Sequence, residues 1–262
     1  MELTVTIEAN LNADAAEGWG AYDIGDDAAI LEIVQSVNVA CGFHAGDPNT
    51  MHRMVLEADR HKVSIGAHPG FNDLWGFGRR RIDMHPKDLE YAVAYQIGAL
   101  QAIAHYAGQQ VTHVKPHGAL NNMAAEDADL AMAIGRGIKT VSKDLIFVAL
   151  AGSELETAAK ALDLPIAREG FADRQYEADG NLVSRKIEGS VYKDPEVALT
   201  QVLRMITDGE IVARDGSIIK RQVDTVCIHG DEPTAVALGA SVKKGLEAAG
   251  VSLKSLPDLK AT

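Results

Sequence analysis

The chain has 262 residues, 47% hydrophobic and 24% charged, an ordinary globular composition that excludes disordered, collagen-like and disulfide-scaffold chains. That length fits one large domain or two small ones, each able to bury a core. With 25 Lys and Arg against 37 Asp and Glu the formal charge is −12, so the surface repels phosphate backbones and anionic lipid, which disfavours nucleic acid and membrane partners.

Short runs rich in Val, Ile and Ala predict strands over 3–9, 36–41, 63–67, 111–116, 145–150, 165–169 and 224–229. Between them, apolar residues at helical spacing predict helices over 51–61, 86–108, 128–142, 153–163, 195–209 and 233–250. Asp88 and Ser153 are expected as N-caps, and Gly108 and Gly250 as helix C-terminal residues. A β-then-α rhythm with no linker or charge block favours a single (β/α) barrel over 1–262, seven-stranded and irregular. The doubly wound open sheet is the alternative, but its Gly-rich phosphate loop is missing. Two stretches break the rhythm: a long polar insertion at 168–194, and a β-hairpin over 209–224 that turns at Arg214-Asp215-Gly216-Ser217.

The two cysteines, Cys41 and Cys227, sit inside apolar runs and read as buried reduced thiols. The N-terminal MELTVTIEAN has no basic region followed by a long apolar core, and no uncharged apolar stretch reaches the ~20 residues of a membrane span. The cytoplasm is the expected compartment.

Polar residues with catalytic potential follow the ends of the apolar runs. After the first come Asn12, Asp14 and Glu17; after the second His44 and Asp47; after the third His68; after the fourth Lys115, His117 and Asn121; after the last His229 and Asp231. In a parallel barrel all strand C-termini open on one face, so these residues are expected to converge. Any one histidine beside a glycine is more often a loop or capping residue, but four of nine at equivalent strand ends point to a site. His113 alternates with Lys115 and His117, and a hydrogen-bonded core histidine suits it as well as a functional one.

Two kinds of chemistry fit the set. Asp14, His44, His68 and His117 are candidate ligands for a divalent ion that polarises a carbonyl or activates water, although their spacing matches no recognised metal motif. Alternatively His44, His68 and His117 with Asp14 and Glu17 do acid–base work on an amide while Lys115 stabilises an oxyanion. No Gly-x-Ser-x-Gly elbow supports a serine nucleophile. Asn12, Asp47, His229 and Asp231 are candidate substrate contacts, Arg79 is a candidate carboxylate fork, and Asp173 and Arg174 of the long insertion are candidates for substrate or partner. Arg81 reads as solvated.

The stretches ACGFHAGDP, IGAHPGFNDLWGFGRR, HVKPHGALNN, EGFADRQYEADGNLVSR and CIHGD, in that order across nearly the whole chain, closely resemble the LamB/YcsF family of 5-oxoprolinase components. The resemblance implies a barrel of the glycoside hydrolase/deacetylase type. It also implies ATP-dependent opening of the 5-oxoproline lactam to glutamate, together with two companion subunits. Without a P-loop, ATP is expected in a different kind of site or on a companion. The family's opening pattern, Asp-Leu-Asn-Cys-Asp-Met-Gly-Glu, reads here Asn10-Leu11-Asn12-Ala13-Asp14-Ala15-Ala16-Glu17. Asn10, Ala13 and Ala16 depart from it, which suggests a subfamily for a related cyclic amide. The rival expectations are a stand-alone metal-dependent amide hydrolase or deacetylase and a non-catalytic ligand-binding homologue; a homo-oligomer is left open.

Overall fold

The structure, a computed structural model, describes residues 7–228 and 235–259. Its elements in chain order are β1 (Glu8–Ala15), α1 (Asp27–Leu31), β2 (Ser36–Ala40), α2 (Pro48–His61), β3 (Ser64–His68), α3 (Pro86–Tyr106), β4 (Val111–Val114), α4 (Gly118–Glu126) and α5 (Ala128–Val141). They continue with β5 (Ile146–Leu150), α6 (Glu154–Ala161), β6 (Ile166–Phe171), α7 (Pro195–Leu203), β7 (Glu210–Val212), β8 (Ile218–Lys220), β9 (Thr225–Cys227), α8 (Ala235–Ala248) and β10 (Ser252–Leu253). Strands β1 to β6 and β9 pair in parallel, and the β1–β9 pairing closes them into a seven-stranded barrel.

The barrel's outward residues supply the core and its inward residues are polar. On β1, Ala9, Leu11, Ala13 and Ala15 are buried in the hydrophobic cluster shared with the helices, while Asn10, Asn12 and Asp14 face the axis. Expecting apolar residues on both faces of a parallel strand places the first strand at 3–9, where the hydrophobic run lies. The barrel strand is instead Glu8–Ala15, and residues 3–6 lie outside the described residues. The helix α1 and the helix α4, which starts directly after His117, were not expected. Glycine and asparagine in GALNN read as loop chemistry, but burial of Ala119, Leu120 and Met123 outweighs that preference.

Helix ends follow local rules with one correction. Pro86 takes the first helical position of α3, so the N-cap is His85, whose ring accepts from Lys87 N, and Asp88 lies in the first turn. Ser153 occupies the N-cap of α6, but its hydroxyl donates to Leu150 O at 2.7 Å instead of capping. Gly108 and Gly250 lie just past α3 and α8 with φ of +76° and +82°. The run after Pro195 widens into a π-helical turn at Arg204–Asp208 before Gly209. Strands β7 and β8 pair antiparallel, and Asp215 Oδ1 accepts from Ser217 N at 2.9 Å and Ser217 Oγ at 2.6 Å in the turn between them.

The floor of the barrel is a mixed polar and apolar plug. Leu256 packs on Val148 and Ala167, and its N–H donates to Ser36 Oγ at 3.1 Å. Higher up, the His113 ring lies across Gly66 of the neighbouring strand, where a Cβ would come within 2.1 Å of the ring. Gly66→Ala is therefore expected to lose about 1–3 kcal/mol of stability in urea unfolding. The loss should shrink in the Gly66→Ala/His113→Ala double variant once the value for His113→Ala alone is subtracted.

Candidate active site

At the C-terminal ends of the strands, one cavity of about 370 Å³ is lined by Asp14, Glu17, His68, Arg79, Lys115, His117 and Arg174 among others. Below it the axis is a continuous polar array. Asn12 Nδ2 donates to Glu169 Oε1 at 3.0 Å and to Thr225 Oγ1 at 2.8 Å, and Asn38 Nδ2 donates to Asn12 Oδ1 at 2.7 Å and Asp14 Oδ1 at 3.0 Å.

Lys115 follows β4 and reaches into the centre of this array. Its Nζ is 3.0 Å from Asp14 Oδ1, 2.9 Å from Glu169 Oε1 and 3.0 Å from Cys227 Sγ. Burial alone would strip its proton, but the attraction of Asp14 and Glu169, with a hydrogen bond to the Cys227 sulfur, outweighs burial and holds the ammonium well above its usual range. Burial pushes Cys227 well above the ordinary thiol range despite Lys115, so it stays a thiol. Glu169 is likewise pushed up by burial, against the pull of Lys115.

The histidines form a second layer above Asp14. His44 and His117 stack with centroids 3.6 Å apart and planes at 4°, and His68 meets both edge-on. Burial, and then the neighbouring imidazole of His68, hold His44 well below its usual range; burial, then His44 and His68, do the same to His117. His68 Nδ1 lies 2.7 Å from Lys115 O and His117 Nε2 lies 2.8 Å from Phe77 O, so each of these nitrogens carries the proton and donates to a carbonyl. The other nitrogens, His68 Nε2 and His117 Nδ1, then face each other with bare lone pairs at 3.0 Å. Glu17 Oε1 lies 3.4 Å from His117 Nδ1 and 3.2 Å from His44 Nε2, and Asp14 Oδ2 lies 3.3 Å from His68 Nε2.

Such a convergence of lone pairs and carboxylates is repulsive unless a cation lies among them, and carbonyls that fix the tautomers of both histidines are what metal ligands need behind them. The ligand atoms of Glu17, His44, His68 and His117 lie within 4.8 Å of one another. Within that set His44 fits least well. Its Nδ1 is buried with no partner, so no acceptor behind the ring fixes its tautomer. Donating from Nε2 to Glu17 is its better role.

The expected residues separate into groups. Asp14, Glu17, His44, His68, Lys115 and His117 come together, and Arg79 and Arg174 line the same cavity. Asn12 lies lower in the barrel and supports Glu169 and Asn38. Asp47 does not line the cavity; it caps α2 through Asn49 N and Thr50 N and accepts from Gly20 N at 2.8 Å. Asp173 is buried beside the mouth without lining it, while Arg81 is exposed. His229 and Asp231 lie outside the described residues. Sequence reasoning passed over Glu169 and Asn38, polar residues inside strands β6 and β2, and the Phe77 carbonyl, which no side-chain pattern reveals.

Two of the departures from the family pattern, Asn10 and Ala13, lie away from the chemistry, and the third, Ala16, adjoins Glu17. Asn10 is two inward positions below Asp14, roughly 13 Å along the strand. There its amide donates to Ser36 Oγ at 2.9 Å and Lys254 O at 2.7 Å and accepts from Thr225 Oγ1 at 2.6 Å. A neutral amide satisfies these partners, so the change carries no message about the substrate. Ala13 packs outward in the core. Ala16 has φ +58°, the left-handed conformation in which a glycine is unstrained and an alanine costs about 1 kcal/mol.

The LamB/YcsF family profile matches residues 9–261. A protein of Rhodopseudomonas palustris, named as a 5-oxoprolinase subunit, is 53% identical over 248 residues, covering 94% of this chain and 98% of the relative. The crystal structure of a lactam utilization protein from Thermus thermophilus superposes with a TM-score of 0.90 at 41% identity, covering 95% of this chain and all of that one. A deacetylase solved with its substrate has a TM-score of 0.51 at 15% identity over 98% of this chain and 92% of its own, a likeness of fold alone.

Two outcomes are expected. Lys115→Met leaves Asp14 and Glu169 buried without their cation and should cost about 3–5 kcal/mol in urea unfolding, part of it regained in Lys115→Met/Glu169→Gln. Calorimetric titration of chelator-treated chain with Zn²⁺ should show saturable binding of about one ion per chain. His68→Ala and His117→Ala should lose it, and His44→Ala should weaken it by no more than about tenfold; an isotherm without saturation would remove the metal reading.

Proposed function

The chain belongs to the LamB/YcsF family, and from that membership we propose that it is the lactam-opening component of an ATP-dependent 5-oxoprolinase working with two companion subunits. The observation that carries this reading is the gathering of Asp14, Glu17, His68, Lys115 and His117 on one cavity at the barrel mouth. The relatives' names supply the substrate, a five-membered cyclic amide.

An unstrained lactam resists hydrolysis because its carbonyl is a weak electrophile and its nitrogen a poor leaving group. In the proposed reaction Glu17 takes a proton from the attacking water as oxygen adds to the lactam carbonyl carbon. The same carboxylic acid then protonates the ring nitrogen as the C–N bond breaks, leaving the amine and carboxylate of glutamate. His44, 3.2 Å away, orients Glu17. Lys115 pairs with Asp14 beneath the reacting atoms. A divalent ion held by Glu17, His68 and His117 would supply Lewis-acid polarisation of the carbonyl oxygen.

With no P-loop in this sequence, ATP is assigned to a different kind of site here or to a companion. Transfer of the γ-phosphoryl group to the lactam oxygen would activate the carbonyl carbon toward water. C–N cleavage would then leave an acyl phosphate, and attack of a second water on its carbonyl carbon would release phosphate with the former lactam oxygen, coupling ATP cleavage to ring opening. The cytoplasm, where ATP is available, is the compartment this reading requires. The lone pairs at His68 and His117 favour one second reading, a metal-dependent amide hydrolase that acts alone.

Reconstitution with both companions and carbonyl-¹⁸O 5-oxoproline should give ATP-dependent glutamate, with the label in inorganic phosphate. Glu17→Gln should lower kcat by roughly 100-fold or more with an unchanged circular dichroism spectrum. Ring opening by the chain alone without ATP would replace this reading with the second one.

A further inference from the structure

The long insertion after β6 walls one side of the mouth, and residues 181–186 line the cavity together with Arg174. Arg174 is fixed at its backbone, where Gln201 Nε2 donates to its carbonyl at 3.0 Å and its main chain bridges to Val191. The residue is only 4% exposed. One guanidinium nitrogen, Nη2, donates to Val183 O at 2.6 Å, whereas Nε is buried with no acceptor.

Among the described residues Arg174 makes no ion pair, although its surroundings are charged. Arg185 and Arg79 act on it with like sign and Asp173 with opposite sign. Burial, and then Arg185, bring its pKa down to about 10, which still leaves it protonated at neutral pH. Buried arginines are normally paired, because a desolvated cation without an anion is costly. Pinning the loop through Val183 O would use one N–H and leave the rest of the fork unexplained.

We propose that Arg174 anchors the carboxylate of the substrate. This deepens the lactam-opening reading above and rests on it for the identity of the ring. A planar guanidinium pairs with a carboxylate through two parallel hydrogen bonds, and the unpartnered Nε supplies one of the donors. The anchor lies on the cavity that also holds Glu17, His68 and His117, so one end of the ring is held while its amide meets the reacting groups. Cyclic amides with a carboxylate are thereby selected over the bare ring.

The test is calorimetric binding of 5-oxoproline, 2-pyrrolidinone and inorganic phosphate to the full chain, to Arg174→Met and to Arg174→Lys. Wild type should bind 5-oxoproline roughly tenfold to hundredfold more tightly than 2-pyrrolidinone, the same lactam without the carboxylate. Arg174→Met should abolish that preference without changing the affinity for 2-pyrrolidinone, and Arg174→Lys should keep part of it. Because Arg174→Met removes a buried charge that makes no ion pair among the described residues, its thermal midpoint should not fall, so a loss of preference is not a loss of fold. A wild-type chain that does not discriminate, or discrimination that survives in Arg174→Met, overturns the assignment. So does Arg174-dependent binding of phosphate tighter than that of 5-oxoproline, which would make the fork a phosphoryl site. Neither ATP nor a companion enters these titrations. Absent turnover in the reconstituted complex would therefore sink the 5-oxoprolinase reading and leave this one to be judged on the binding ratio.

Discussion

The ammonium of Lys115, held between Asp14 and Glu169 on the barrel axis, is the interaction on which the rest of the site depends. Two carboxylates this deep in the fold would each be driven to protonate if alone. One cation between them keeps charge on the axis, and Asn12 and Asn38 donate to the same two oxygens that face Lys115, Glu169 Oε1 and Asp14 Oδ1. The array is costly to assemble and more costly to break, since removal of any member leaves a charge in a medium that solvates it poorly.

A polar axis also explains how the barrel is built. Most of the apolar burial lies between strands and helices, where the outward residues of β1 and β2 meet the helical shell. The interior is filled by amides, hydroxyls, one ion cluster and, at the floor, Leu256 with its neighbours. Such an interior leaves little slack. Gly66 is small because His113 lies over it, and Gly78 is small because His44 and His117 pack against it, a Cβ there coming within 2.7 Å of His44 and 2.8 Å of His117. The histidines are thus held by backbone as well as by hydrogen bonds, which is the rigidity a reacting site needs.

The mouth has two characters that meet in one cavity. On the barrel side, histidine tautomers fixed by the carbonyls of Lys115 and Phe77 turn lone pairs toward Glu17 and toward each other, a donor set suited to a cation. On the side of the long insertion, arginine and lysine line the same space, a set suited to an anion. A chain of net charge −12 that places cations along this cavity is electrostatically selective there, whatever its surface does on average.

Much of this was legible in the residues. Alternating strand and helix runs gave the parallel barrel, and the position of His44, His68, Lys115 and His117 after apolar runs foretold that they would cluster, because strand C-termini of such a barrel share one rim. The first strand was misplaced because the Val- and Ile-rich run ends near Ala9, whereas the barrel segment alternates small apolar residues with Asn10, Asn12 and Asp14, a period-2 pattern of low hydrophobicity. Asp47 looked like a site residue, yet a helix start competes for the same carboxylate. Local composition and periodicity determine most of the strands and helices, since those signals depend on near neighbours, whereas α1, α4 and the bounds of β1 depend on burial in the closed fold. Only the closed barrel decided that Glu169 joins Asp14 at Lys115, that His68 and His117 bare their lone pairs to each other, and that Arg174 is buried without an ion pair among the described residues. Those facts depend on distances between segments far apart in the chain, and burial and partner geometry exist only once the fold has set them.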